Sequence, residues 1–264
     1  MEIIGYTASV LIGISLGLIG GGGSILTVPV LVYLFGMDAF LATEYSLFIV
    51  GVSSTVGSVT YFKNGLVNFK IALIFGVPSV ISIFLTRTYL LPLISEELLT
   101  IKDFTITKNI FLLLVFAILM IFASYKMITS KTSAEISENS SAQSNIALAV
   151  GQGTIVGILT GLVGAGGGFM IIPALVNLLK LPMKTAIGTS LVIIALNSLI
   201  GFSSSMTNVN IEWTLLLSIA AIAIAGIIIG SQLSKKIDGK KLKPAFGWFV
   251  LVMGIYIITR EIFL

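Results

Sequence analysis

The sequence predicts an all-α polytopic membrane protein made of two inverted repeats, each with five hydrophobic segments. Three observations carry this. Of 264 residues, 56% are hydrophobic and only 10% charged, where a soluble domain carries about 25% charged residues; mean hydropathy is +1.11. The apolar residues fall into ten runs separated by short polar stretches. A glycine-rich pattern in the first half recurs 144 residues later in the second.

Missing residue types exclude several classes of chemistry. With no Cys and no His, the chain has no zinc site of the usual N/S kind, no haem His ligand, no Cys nucleophile and no Ser-His dyad. No metal and no cofactor are expected. The glycine-rich run has no Lys to complete a P-loop, and no G-x-G-x-x-G opens a helix after a strand. The net charge of +4 comes from lysines in short loops, not from a basic face on a soluble module, so nucleic acid is not an expected partner.

In order, the first half has runs at Ile3–Ile19, Ile25–Phe35, Tyr45–Phe62, Phe69–Ile94 and Ile110–Tyr125. Only Met1 and Glu2 precede the first run; with no basic n-region it does not read as a signal peptide. The second half has runs at Ile146–Val163, Phe169–Leu179, Ala186–Met206, Ile211–Leu233 and Ala245–Thr259. A crossing helix needs about 20 apolar residues, with about 17 as the lower limit. The second run of each half is shorter and follows a glycine cluster, which predicts a half-helix after a break. Between the halves, 129–145 is a Ser-rich linker without aromatics, unable to bury enough surface to order itself. One membrane domain, 1–264, is expected, with repeats 1–128 and 146–264.

The repeat aligns Gly17-Leu-Ile-Gly20-Gly-Gly22-Gly23-Ser-Ile-Leu-Thr-Val-Pro29 with Gly161-Leu-Val-Gly164-Ala-Gly166-Gly167-Gly-Phe-Met-Ile-Ile-Pro173. The same offset pairs Ala42 with Ala186, Ser46-Leu47 with Ser190-Leu191, Ser54 with Ser198, Gly57 with Gly201 and Phe69 with Trp213. Lys108 and Phe111 match Lys243 and Phe246 at an offset of 135, nine less than 144. The first half therefore carries about nine extra residues near Ile94–Thr105.

Charge orients the segments. Lys63, Lys70, Lys126, Lys131, Lys180, Lys184, Lys235, Lys236, Lys240, Lys241 and Lys243 fall on one side, and Arg87, Lys102, Lys108 and Arg260 on the other. Eleven against four is a positive-inside bias, against ten to five if the short runs re-enter from the opposite side. Both termini are then outside, the linker 129–145 is cytoplasmic, and an odd number of crossings per half inverts the repeats.

Inverted repeats with broken helices suit a transporter whose site lies between them. Backbone leaving a helix in lipid must line a cavity or be buried in protein. Gly20, Gly21, Gly22, Gly23 and Ser24, with Gly164, Gly166, Gly167 and Gly168, are the candidate breaks, each aiming a half-helix N-terminus at a small anion. Close helix packing by small residues is the structural alternative. On the third run of each half, Ser46 and Ser53 recur as Ser190 and Asn197, with Thr43 and Thr189 near the start of each stripe, hydroxyls and an amide that could replace an anion's hydration shell; interhelical hydrogen bonding is their plainer role. Glu44 reads as a coupling-proton carrier or as a solvated first-turn acid favoured by the helix dipole. Arg87, near a run's outer end, is expected to snorkel to the interface. The lysine cluster 235–243 could also concentrate anions at the inner mouth.

The twin motifs Gly17–Pro29 and Gly161–Pro173, with the A-x-x-x-S-L segments Ala42–Leu47 and Ala186–Leu191, resemble the TauE/SafE family of sulfite exporters along essentially the whole chain. The resemblance implies a plasma-membrane exporter of sulfite or related sulfur-containing or organic anions. The sequence departs from the pattern at Glu44-Tyr45, where the second half has Gly188-Thr189. The expected function is therefore secondary anion export, with a lipid bilayer and a small anion as partners. An anion channel and a non-transporting scaffold are the alternatives; an enzyme is not expected. Oligomeric state is left open, a homodimer included.

Overall fold

A computed structural model describes residues 2–101, 104–129, 146–206, 210–233 and 239–263. The linker from 130 to 145, and Lys102, Lys131, Lys235 and Lys236, lie outside the described residues. Helix α1 (Glu2–Ile19) leads through a 3-10 turn (Gly20–Leu26) into α2 (Thr27–Tyr33). Then come α3 (Ala39–Lys63) and α4 (Phe69–Leu85), the latter running on through a π turn (Thr86–Leu90) into α5 (Leu91–Leu93). Strands β1 (Glu97–Ile101) and β2 (Phe104–Thr107) follow, then α6 (Lys108–Thr129). The second half has α7 (Ile146–Val163), α8 (Gly168–Pro173) with a π turn (Ala174–Leu178), α9 (Met183–Ser205), α10 (Trp213–Leu233) and α11 (Gly239–Phe263).

Six helices among the described residues are long and apolar enough to cross a bilayer. Their outward faces are apolar: Phe69, Leu73, Val77 and Ile81 line α4 at four-residue spacing, each about half exposed. A soluble protein would not leave so continuous a stripe in water. The chain is a multi-pass membrane protein.

The central pair is α3 and α9. Their apolar windows are 67% and 72% buried, against 39–44% for the other four spans. They run antiparallel: Glu44 meets Ser205, Leu47 meets Gly201, and Gly51 meets Leu199. Around them the helices exchange partners between halves. Gly13 and Gly17 of α1 lie on Ala223, Gly226 and Gly230 of α10. Gly153, Gly157 and Gly161 of α7 lie in the same way on Phe75 and Ser79 of α4 and on Thr86 of the π turn that continues it. Such four-residue spacing of small side chains lets helix backbones approach in lipid, where burial of apolar surface supplies no drive.

A matched pair of clasps joins the halves. The N–H of Glu212, just before α10, donates to the Tyr45 hydroxyl at 2.7 Å. The N–H of Asn68, just before α4, donates to Thr189 Oγ1 at 2.9 Å. Both donors belong to the orphan groups at a helix start. Residues 45 and 189, and 68 and 212, are each 144 apart. Tyr45→Phe is expected to cost about 1 kcal/mol, read as a lower melting temperature in detergent, and Thr189→Ala a similar amount.

The two breaks open with the same backbone step. Gly20 (φ +70°) and Gly164 (φ +72°) are both left-handed, where a side chain costs roughly 1–2 kcal/mol. Beyond them the halves diverge. The first winds into a 3-10 turn, the second adds two more left-handed residues, Gly166 and Gly167. The α-helical parts, α2 and α8, are seven and six residues long. They are shorter than the half-helices expected at Ile25–Phe35 and Phe169–Leu179, because 3-10 and π turns take up the rest. In the first half the segment doubles back along α1, with Gly23 on Leu16 and the Phe35 ring on Gly5.

The extra residues of the first half form an antiparallel hairpin, β1 with β2. Every other regular element among the described residues is helical, in keeping with an all-α polytopic membrane protein. The hairpin delivers the chain to α6, whose first N–H, that of Lys108, donates to the Glu96 carbonyl at 2.9 Å.

Candidate transport site

The two glycine breaks touch. A Cβ on Gly21 would overlap the backbone of Gly168, and one on Gly168 would overlap Gly21. Beside this contact Gly166 faces the Ser198 hydroxyl, Val50 and Ile194, and Gly167 faces Thr160 Oγ1. The breaks therefore meet near the middle of α3 and α9. There Ser53 and Ser54 on α3 match Asn197 and Ser198 on α9 at the repeat offset.

Polar atoms without protein partners collect in this region. Among the described residues, the buried hydroxyls of Ser53, Ser54, Ser198 and Thr160 have no hydrogen-bond partner, nor do those of Ser46, two turns before Ser53, and of Thr27 at the start of α2. Asn197 donates its Nδ2 to Ser79 Oγ at 2.7 Å, while its Oδ1 is unpartnered. Each buried, unsatisfied polar group costs roughly 1–3 kcal/mol, and few are normally found. So many in one place have the character of a binding surface.

The expected site residues divide on this geometry. Gly21, Gly166, Gly167 and Gly168 line the meeting of the breaks, Gly164 packs on Thr43, and Ser46, Ser53 and Asn197 keep unpartnered atoms. Gly20 packs on Ile172 and Ile187, and Gly23 turns against α1; Gly22 lies in the 3-10 turn. Ser24 donates to the Gly21 carbonyl at 2.7 Å and Ser190 to that of Ile187 at 2.8 Å. Thr189 holds Asn68, and Thr43 donates to Phe40 O while accepting from Arg87. Four of the predicted hydroxyls thus serve the fold. Sequence reasoning passed over Thr160 and Ser79, which lie beside Gly167 and Asn197. Their repeat counterparts, Leu16 and Ala223, are apolar, so a search for repeated polarity passes over them.

Two further expectations are corrected. Glu44 is fully buried and Arg87 only 1% exposed; they form an ion pair through Arg87 NH1 and Glu44 Oε1. Glu44 is therefore no solvated first-turn acid, and Arg87 does not snorkel. Ser205 Oγ donates to Glu44 Oε2 at 2.7 Å, and Arg87 NH2 donates to Thr43 Oγ1 at 3.0 Å. Pairing explains the burial, because an isolated charge there would be far costlier. The pair borders the second break: a Cβ on Gly164 would overlap Thr43, and one on Gly161 would press on Thr86.

A lipid-faced helical bundle with glycine breaks meeting among unpartnered polar groups belongs to the class of membrane transporters. Comparison with known proteins gives the family. Residues 6–257 match the sulfite exporter TauE/SafE family model, and the chain belongs to that family. A probable membrane transporter protein of Xylella fastidiosa (strain Temecula1) is 28% identical over 255 residues, 95% of this chain and 92% of its own. The probable membrane transporter protein YunE of Bacillus subtilis is 27% identical over 266 residues, 93% of each chain. A probable membrane transporter protein of Methanocaldococcus jannaschii is 27% identical over 270 residues, 97% of this chain and 93% of its own. The relatives are named as transporters and not as enzymes. No solved structure matches the chain significantly.

Proposed function

We propose that this membrane transporter is a secondary carrier that exports a small oxyanion, sulfite or a related sulfur-containing or organic anion, across the plasma membrane. The observation that carries the reading is the set of unpartnered hydroxyls where the glycine breaks meet. Hydroxyl and backbone N–H donors can replace an anion's hydration without fixing its identity. Asn197 Oδ1, an acceptor, suits an oxyanion that brings a proton or a water.

Antiparallel contact between α3 and α9, which occupy equivalent places in the repeat, supports inverted repeats within one domain, 1–264. The partner exchange of α1 with α10 and α7 with α4 supports it too. With Arg87 removed from the loop tally, basic residues divide eleven against three. That favours both termini outside and a cytoplasmic linker at 129–145. A negative-inside potential of 100 mV drives each negative charge outward by about 2.3 kcal/mol, so export needs no ATP site.

The test is sulfite efflux from proteoliposomes under an imposed potential, with sulfate and chloride as competitors. Saturable efflux is expected, with the Ser53→Ala, Asn197→Ala double variant lowering kcat/KM about tenfold or more while staying folded, as loss of hydrogen bonds to a charged group does. Efflux without saturation would mean a channel; no flux of any anion under either potential would leave a scaffold. Glu44 is also the proposed carrier of a coupling proton, since protonation would release Arg87 of the π turn from Glu44 and keep Ser205 of α9 as a partner. Glu44→Gln should then flatten the pH dependence of efflux; an unchanged profile removes that role.

A further inference from the structure

We propose that Arg87 is the residue that reads the substrate's charge, and that the Glu44 carboxylate, on the neighbouring edge of the guanidinium, is its built-in competitor, offsetting the positive charge that an oxyanion at the open edge meets. This rests on the small-anion reading above and names the charged element of the site.

The argument starts from the hydrogen-bond inventory of the guanidinium. Arg87 NH1 meets Glu44 and, at 3.3 Å, Ser205 Oγ; NH2 meets Thr43 Oγ1. Nε, fully buried, has no partner among the described residues. An arginine retained only to neutralise Glu44 would be expected to have its donors satisfied, because an unmet buried donor costs free energy. The open Nε edge presents an N–H parallel to one on a terminal nitrogen. That fork fits two oxygens of one anion, as in bidentate carboxylate or phosphate pairs. Glu44 is itself such an anion, supplied by the chain on the neighbouring edge. The favoured ligands are therefore oxyanions with two oxygens presented side by side, such as sulfite, sulfonates and carboxylates, and not halides.

Location makes the pair responsive to the break. Thr43 and Thr86, immediately before Glu44 and Arg87 in the chain, carry the contacts to Gly164 and Gly161. The π turn Thr86–Leu90 holds Arg87, and such turns recur at functional sites. The device exists once. At the repeat offset, Glu44 and Arg87 correspond to Gly188 and Ser231, and Thr43 to Ile187. Charge is thus read on one face of the crossing, and the opposite face handles the substrate through neutral groups.

The experiment uses the full chain in proteoliposomes, with sulfite as the probe. Methanesulfonate, acetate and chloride serve as competitors; melting temperature and size-exclusion profiles report folding. The variants are Glu44→Gln, Arg87→Lys and the uncharged pair Glu44→Gln, Arg87→Gln, which keeps the shape and leaves no lone buried charge. Removing the competitor in Glu44→Gln should lower KM for sulfite about tenfold and slow turnover, the weight of one charge-assisted hydrogen bond. The double variant should raise KM about tenfold or more above wild type while eluting and melting like it. Arg87→Lys should transport but lose its preference for oxyanions over chloride, since an ammonium is a point charge. A folded double variant with wild-type KM and selectivity would overturn the charge-reading role, and an unchanged KM in Glu44→Gln would overturn the competitor role, with the anion reading intact in both cases. A wild-type protein that moves no anion overturns the anion reading itself, and this inference with it.

Discussion

Gly21→Val should yield no folded protein, and Gly21→Ala a protein destabilised by about 3 kcal/mol or more, at the upper end of overpacking costs. A methyl at Gly21 would overlap the Cα and carbonyl carbon of Gly168 and come 2.6 Å from Ile194 Cδ1. A side chain can rotate away from an intruding methyl, but backbone held on both sides cannot. Gly168→Ala makes the same collision from the other half and should behave alike. Two glycines without such neighbours serve as controls. Gly151, inside α7, has no atom of another described element within 4 Å of the place its methyl would take, so Gly151→Ala should be neutral or stabilising by up to about 1 kcal/mol through helix propensity. Gly36 is equally open but left-handed, φ +69°, so Gly36→Ala should cost about 1–2 kcal/mol of backbone strain alone. Size-exclusion profiles and melting temperatures in detergent separate the cases. A well-folded Gly21→Val protein would mean that the breaks do not touch.

Arg87→Met should be the most damaging single change outside the glycines. It leaves Glu44 buried without its cation, a loss of about 3–5 kcal/mol for a broken buried pair. The double variant Glu44→Gln, Arg87→Met should recover most of that stability, because the amide can still accept from Ser205 and no uncompensated charge is left. The cycle of the two singles and the double then gives a coupling of a few kcal/mol, at the upper end of the range for contacting residues. Additive losses would show that the pair does not form. Recovery of stability without recovery of transport would separate the fold's need for neutrality from the site's need for charge.

The glycine repeat was legible because it is local. Consecutive glycines before a short apolar run state a break wherever they occur, and their return after 144 residues locates both. The polar stripe was half legible: Ser53 and Asn197 stand out by helical spacing, but Thr189 and Ser190 look identical in sequence and serve backbone contacts instead. The ion pair was hidden. Its partners are 43 positions apart and Ser205 lies 118 beyond Arg87, and no periodicity links such distances. An arginine near the end of an apolar run has the same appearance whether it snorkels or is buried. The hairpin was legible only as extra length; the β-branched residues in Glu97–Ile101 and Phe104–Thr107 were its local signal, masked by the helical character of everything around them.

The exchange of partners between α1 and α10 also sets a schedule for the newborn chain. Gly13 must wait for Gly226, which emerges 213 residues later. At about 5–20 residues per second that is roughly ten to forty seconds. Through that interval α1 lies in lipid with its glycine face bare, while α4 waits a shorter time for α7. Neither half can complete its own packing, so a ribosome that stalls after the first leaves an orphan for quality control. The same halves, made as separate chains in one cell, should associate through the α1–α10 and α4–α7 contacts.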